Sequence, residues 1–110
     1  MSERTKNLLP IAVLVCASAH AEFKDGNMLL SDMNGSPISQ MNALGYVTGV
    51  ADALNRVTFC PPSGINAGQI NDVVKLYLEN NPANRHNTAD RIVNHVLKTV
   101  WPCAQRGQNL

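Results

Sequence analysis

Two cysteines constrain this chain more than any other feature. Cys60 sits in Phe59-Cys60-Pro61-Pro62 and Cys103 in Trp101-Pro102-Cys103. Each stands beside proline, just past an apolar run with helical spacing. Proline lacks the N–H that a helix ladder needs, and it pushes the residue before it out of the α region. Both cysteines therefore mark helix ends, and whether they pair depends on the compartment.

The N-terminus speaks to the compartment. Arg4 and Lys6 form a basic start, Leu8 to Ala19 is an apolar run, and Ala19-His20-Ala21 has the small-x-small form of a cleavage site. The apolar run is too short for a membrane span, which needs about 20 residues. It reads as a secretory signal peptide, residues 1–21, cleaved after Ala21. Val15 before Cys16 is too large for a lipoprotein processing site. The expected location is the periplasm, with no membrane attachment after cleavage.

Cleavage removes Cys16 and leaves Cys60 and Cys103. An even count in an exported chain implies a disulfide, and two cysteines allow one pairing. Closing a loop of about 40 residues is worth on the order of 4 kcal/mol in the chain-entropy model. A domain of this size has a small core and gains from such a staple. The alternative for Cys60 is a nucleophile with His86 or His95 as its base. That needs a free thiolate in an oxidising compartment, beside a second cysteine able to trap it, and the disulfide is the stronger reading.

Charge narrows the partners. The full chain carries 9 Lys and Arg against 8 Asp and Glu. Losing Glu3, Arg4 and Lys6 with the leader makes the remainder formally neutral, with no basic run. Nothing attracts a nucleic acid or an anionic membrane from a distance.

The remainder, 22–110, is read as one helical domain with its core in about 28–103. Met28 to Met33 is one or two helical turns, and Asn34-Gly35-Ser36-Pro37 is a turn. A long helix is expected from an N-cap at Ser39 up to Cys60, with Leu44, Val47, Val50, Ala51, Leu54 and Val57 on its apolar face. Asn66 and Gln69 have the residue types of a capping box. Ile70, Val73, Val74, Tyr77 and Leu78 follow at helical spacing until Asn80. A short helical turn is expected over Pro82 to His86. Asn87 caps a last helix carrying Ile92, Val93, Val96, Leu97 and Val100. No useful stretch alternates with period two. The fold class is all-α: three main helices, one or two short ones, and one disulfide.

Several residues invite a role. Gly45 and Gly49 sit inside the long helix, where each glycine costs roughly 1 kcal/mol against alanine. Their expected use is close approach of another backbone, within the chain or across a homodimer. Asp52 has no acidic or histidine neighbour that would make it a catalytic acid. His86 and His95 are nine apart and too few to hold zinc. No metal or cofactor is implied.

The order of motifs resembles a known family. Gly45-Tyr46-Val47-x-Gly49-Val50-Ala51-Asp52 leads to Phe59-Cys60-Pro61 and Gly64. Gln69, Val73-Val74, Tyr77-Leu78, Asn81-Pro82, Arg85-His86, Ala89 and Trp101-Pro102-Cys103 follow. This set, from about Leu29 to Cys103, resembles the Rap/Tai family of type VI secretion immunity proteins. The resemblance implies a small periplasmic helical protein, without enzymatic activity, that binds and blocks a peptidoglycan amidase toxin. It also admits a homodimer. The family usually carries a second cysteine pair, and Met33 and Ala43 stand in its places here. The resemblance thus implies apolar contact where a bridge would be, and a more loosely held first helix.

The candidate toxin contacts are polar loop residues: Asn80, Asn81, Asn84, Arg85 and His86, with Ser36 and Gln40 in the Asn34 to Gln40 turn. A competing reading is a general periplasmic stress protein or chaperone. Such a protein needs an acid-driven switch, and two histidines with balanced charge do not supply an evident one.

Overall fold

The computed structural model describes residues 23–104. The expected leader, its cleavage site and the end of the polar tail lie outside the described residues.

Four α-helices make up the domain: α1 (Gly26–Met33), α2 (Pro37–Leu54), α3 (Ala67–Asn80) and α4 (Ala89–Val100). A single 3-10 turn, Pro82–Asn84, joins α3 to the loop before α4. No strand forms among the described residues; the all-α reading holds, with three long helices and two short elements.

Each helix start has a local cause. Asp25 caps α1 by accepting from the Met28 N–H at 2.8 Å. Asn66 and Gln69 form the expected reciprocal capping box of α3, both bonds at 2.9 Å. Two caps differ from expectation. Ser36, not Ser39, caps α2, because Pro37 is preorganised for the first helical position. Thr88, not Asn87, occupies the cap position of α4. Asn87 spends its amide on the Asn84 carbonyl instead.

The end of α2 is also corrected. The helix stops at Leu54, and the chain turns through Arg56 at φ 63°. That left-handed conformation costs about 1 kcal/mol for a non-glycine residue. The turn is closed by the Arg56 N–H donating to the Phe59 carbonyl at 2.8 Å. It puts Phe59 fully into the core and leaves Val57, expected on the apolar face, 70% exposed. Thr58 ties the turn to α4 by donating to Asn94 Oδ1 at 2.6 Å.

One core joins all four helices. Leu29 and Met33 of α1, Ala43, Val47 and Ala51 of α2, Val74 and Leu78 of α3, and Ile92, Val93, Val96 and Leu97 of α4 are buried together with Phe59 and Ala89. Each large aliphatic side chain buried there contributes roughly 1.5–3 kcal/mol. Met33 and Ala43, which the resemblance places where a second cysteine pair would stand, are both buried in this core.

Cys60 and Cys103 are bonded, with Cα atoms 4.8 Å apart. Beside the bond the Cys60 N–H donates to the Trp101 carbonyl at 2.8 Å. The sulfur that could have served as a nucleophile is half of a crosslink, so Cys60 offers no thiolate.

Candidate functional site

The surface has concave places on both sides of α4. On one side, α2 and α4 enclose a groove of about 610 Å³, lined by Gly45, Tyr46, Gly49, Val50, Ala53 and Leu54 from α2 and by Asp90, Arg91 and Asn94 from α4. The glycines form its open floor. A Cβ built on Gly45 or Gly49 meets nothing within 4 Å. The expected close approach of another backbone is therefore not made among the described residues, and both glycines are exposed.

The groove continues onto an uncovered side of α2. Ile38 is 76% exposed and Met41 73%. Helix α2 thus shows apolar side chains on a face turned to solvent, whereas a surface helix normally keeps a polar outer face. At the groove's edge, Lys24 lies 5.8 Å from the Tyr46 ring and pairs with Asp32. Burial, and then the charge of Asp90, push the Tyr46 phenol above its ordinary 10.0, with a backbone hydrogen bond from Asp90 pulling the other way.

On the other side of α4, a polar cleft of about 360 Å³ is lined by Tyr77, Asn84, Asn87, Arg91, Ile92 and His95. It adjoins an apolar cleft of about 320 Å³ that shares Tyr77 and His95 and adds Val73, Leu76, Val96 and Val100 among its walls. Tyr77 and His95 meet edge to face, ring centres 5.5 Å apart.

The polar loop proves to be built as much for structure as for display. Arg85 donates from Nε to the Leu78 carbonyl at 2.6 Å and from Nη2 to the Glu79 carbonyl at 3.2 Å. It closes the carboxyl end of α3, where unpaired carbonyls attract a cation. Asn81 donates to the Tyr77 carbonyl, Asn84 to the Tyr77 hydroxyl, and His86 Nδ1 lies 3.0 Å from the Ala83 carbonyl. Asn80 is exposed beside the apolar cleft. In the other turn, Ser36 caps α2 and Gln40 donates to the Gly35 carbonyl at 2.9 Å. Hydrogen bonds among the described residues do not join the two turns. Of the candidate contacts, Asn80, Asn81 and Asn84 border the clefts beside α4, while Ser36 and Gln40 lie elsewhere.

A family model for Rap1a immunity proteins matches residues 25–103. The chain belongs to this family. The match covers every helix of the described residues and both bonded cysteines, so the Rap1a match and the disulfide-held helical core coincide. It agrees with the resemblance drawn from the GYVxGVAD stretch, the Cys-Pro loop and the terminal Pro-Cys. Membership makes the chain an immunity protein, whose work is to bind a protein toxin. Among curated proteins none matches the chain. Among the described residues no three His, Cys, Asp or Glu side chains gather as a metal site, and no helix is long and apolar enough to cross a membrane.

Two features of this Rap1a surface escaped sequence reasoning. Arg91 and His95 stand four apart, the spacing that places residues on one helix face. That much was readable; their meeting with Tyr77 and Asn84 required the fold. Nothing in the sequence signalled that the glycines would floor an open groove.

Proposed function

We propose that this immunity protein acts in the periplasm, exported by its leader and cleaved after Ala21. Its target is a peptidoglycan amidase toxin delivered by a type VI secretion system. The observation that carries this reading is the family match across the whole described domain. The leader pattern supports the location, and the motif resemblance supports the toxin class.

The mechanism is occlusion. A crosslinked helical domain needs little reordering to bind, which lowers the entropic cost of association. Seated over the cleft where the toxin takes cell-wall peptides, it excludes substrate without any chemistry of its own. Protection of the producing cell favours slow dissociation, and interface changes act mostly on that rate.

The test pairs capture with challenge. The tagged mature protein should retain a secreted amidase from periplasm and inhibit its digestion of peptidoglycan. A strain lacking the protein should lyse when neighbours deliver that toxin. Failure to capture an amidase, with survival of the deletion strain, overturns the proposal. Suppression of client aggregation at low pH by the same protein, without such capture, would support the chaperone reading.

A further inference from the structure

The clefts beside α4 carry a more specific message than shape. In the polar cleft the ionisable side chains are Arg91, His95 and Tyr77, and no carboxylate lines it. Asp90 is next to Arg91 in sequence, but it borders the α2–α4 groove and acts on Tyr46 there. The ion pair found among the described residues is Lys24 with Asp32, so no described carboxylate pairs with Arg91.

Hydrogen-bond accounting sharpens this. Asn87 gives its amide to Asn84, and Asn84 gives its own to the Tyr77 oxygen at 3.3 Å. The Tyr77 hydroxyl is thereby an acceptor whose own proton is given to no partner among the described residues. Arg91 has five N–H donors and no acceptor capacity. The cleft thus presents spare donors and a positive charge. A carboxylate is the side-chain group that complements both, and guanidinium pairs with it through two parallel bonds.

Past the Tyr77–His95 pair the surface turns apolar. Leu76 is 58% exposed and Val100 44%, flanking the second cleft. We infer that the two clefts form one recognition site for a toxin segment in which an acidic side chain stands beside an apolar one. The acid pairs with Arg91 and accepts from Tyr77. The apolar neighbour covers Leu76 and Val100. This rests on the proposed function for the identity of the partner, but the chemistry of the site does not.

Calorimetry with a captured toxin tests it. Arg91→Ala should weaken binding about tenfold or more, as truncating one member of an interfacial charge pair does. Arg91 also borders the groove, so Tyr77→Phe and Leu76→Ala, which do not, carry a separate reading. Each should weaken binding severalfold, and Gly45→Ala in the groove should leave it unchanged. Circular dichroism confirms that each variant is folded. Unchanged affinity in Arg91→Ala and Leu76→Ala overturns the inference. If no toxin is captured, an acidic–apolar dipeptide, N-acetyl-Asp-Leu amide, decides the matter by NMR titration. Shifts of the Asn84 and Asn87 side-chain amides, lost in Arg91→Ala and absent with N-acetyl-Lys-Leu amide, uphold the site while the toxin assignment fails. No shift with the acidic peptide removes both.

Discussion

A covalent bond between Cys60 and Cys103 secures the turn after α2 to the end of α4, while α1 is secured to the start of α4 by backbone hydrogen bonds and core packing. In the second region the Gly26 N–H donates to Asn87 and the Asn27 N–H to Arg85, at 3.0 and 3.1 Å. The Ala89 N–H returns a bond to Lys24 at 2.8 Å. The difference shows two routes to holding a small helical core. One restrains the unfolded chain, and the other demands tight fit in the folded one. The expected loosening of α1 without a second disulfide meets this backbone clasp, together with the buried Leu29 and Met33.

The largest break is chemical. Cys60→Ser, Cys103→Ser and the double variant should each lose on the order of 4 kcal/mol in urea unfolding, because each opens the same loop. Equal losses mark a staple. A much larger loss in one single variant would show that the side chain matters beyond its bond.

A second staple would sharpen the contrast. Met33→Cys with Ala43→Cys should restore the bridge that the family resemblance places there, since both residues are buried in the core that α1 and α2 share. Closing that short loop should add about 2–3 kcal/mol if the geometry is met. Intact mass shows the bond, and the unfolding midpoint shows its worth.

Gly26→Ala attacks the other region directly. Its Cβ would lie 2.6 Å from Ile92 Cδ1 and 2.8 Å from the Arg85 carbonyl oxygen. Side chains can shift, but the backbone contact cannot yield cheaply, so a loss of about 1–3 kcal/mol is expected. Amide exchange should locate the opening in α1 and the 85–89 loop, with the disulfide region still protected.

This position also shows the limit of sequence reading. Gly45 and Gly49 stood out because they interrupt a helix pattern, and close contact was assigned to them. The close contact belongs to Gly26, at a helix start where glycine is unremarkable in sequence. The helices themselves were legible because their apolar spacing, the Asn66–Gln69 cap and the prolines are local signals. The disulfide was legible because two cysteines leave one pairing. The stop at Leu54 was not, since it depends on Phe59 finding a place in the core, a contact no local pattern reports. The recognition clefts were half visible: the loop residues Asn81, Asn84 and Arg85 were singled out, but their hydrogen bonds to α3 exist only once the chain returns.

Gly45→Ala and Gly49→Ala invert the Gly26 result. With no neighbour in reach, each should stabilise by roughly 0.5–1 kcal/mol through helix propensity. A thermal melt checks this. Destabilisation by either would mean that a contact with a second copy holds the native state, and the loss would then shrink on dilution, as the wild type gives up the same contact.

The smallest effect concerns pH at the groove. Burial, and then Asp90, raise the Tyr46 phenol in the folded state, with a backbone hydrogen bond from Asp90 opposing them. Above the ordinary tyrosine value of 10.0 the unfolded chain ionises this phenol while the folded chain still holds its proton. The folded state then binds more protons, and stability falls as pH rises through that range. Below it both states are protonated and the term vanishes. Tyr46→Phe should remove this part of the alkaline loss. An alkaline slope identical in wild type and Tyr46→Phe would place the phenol's contribution below detection and assign the slope to other groups.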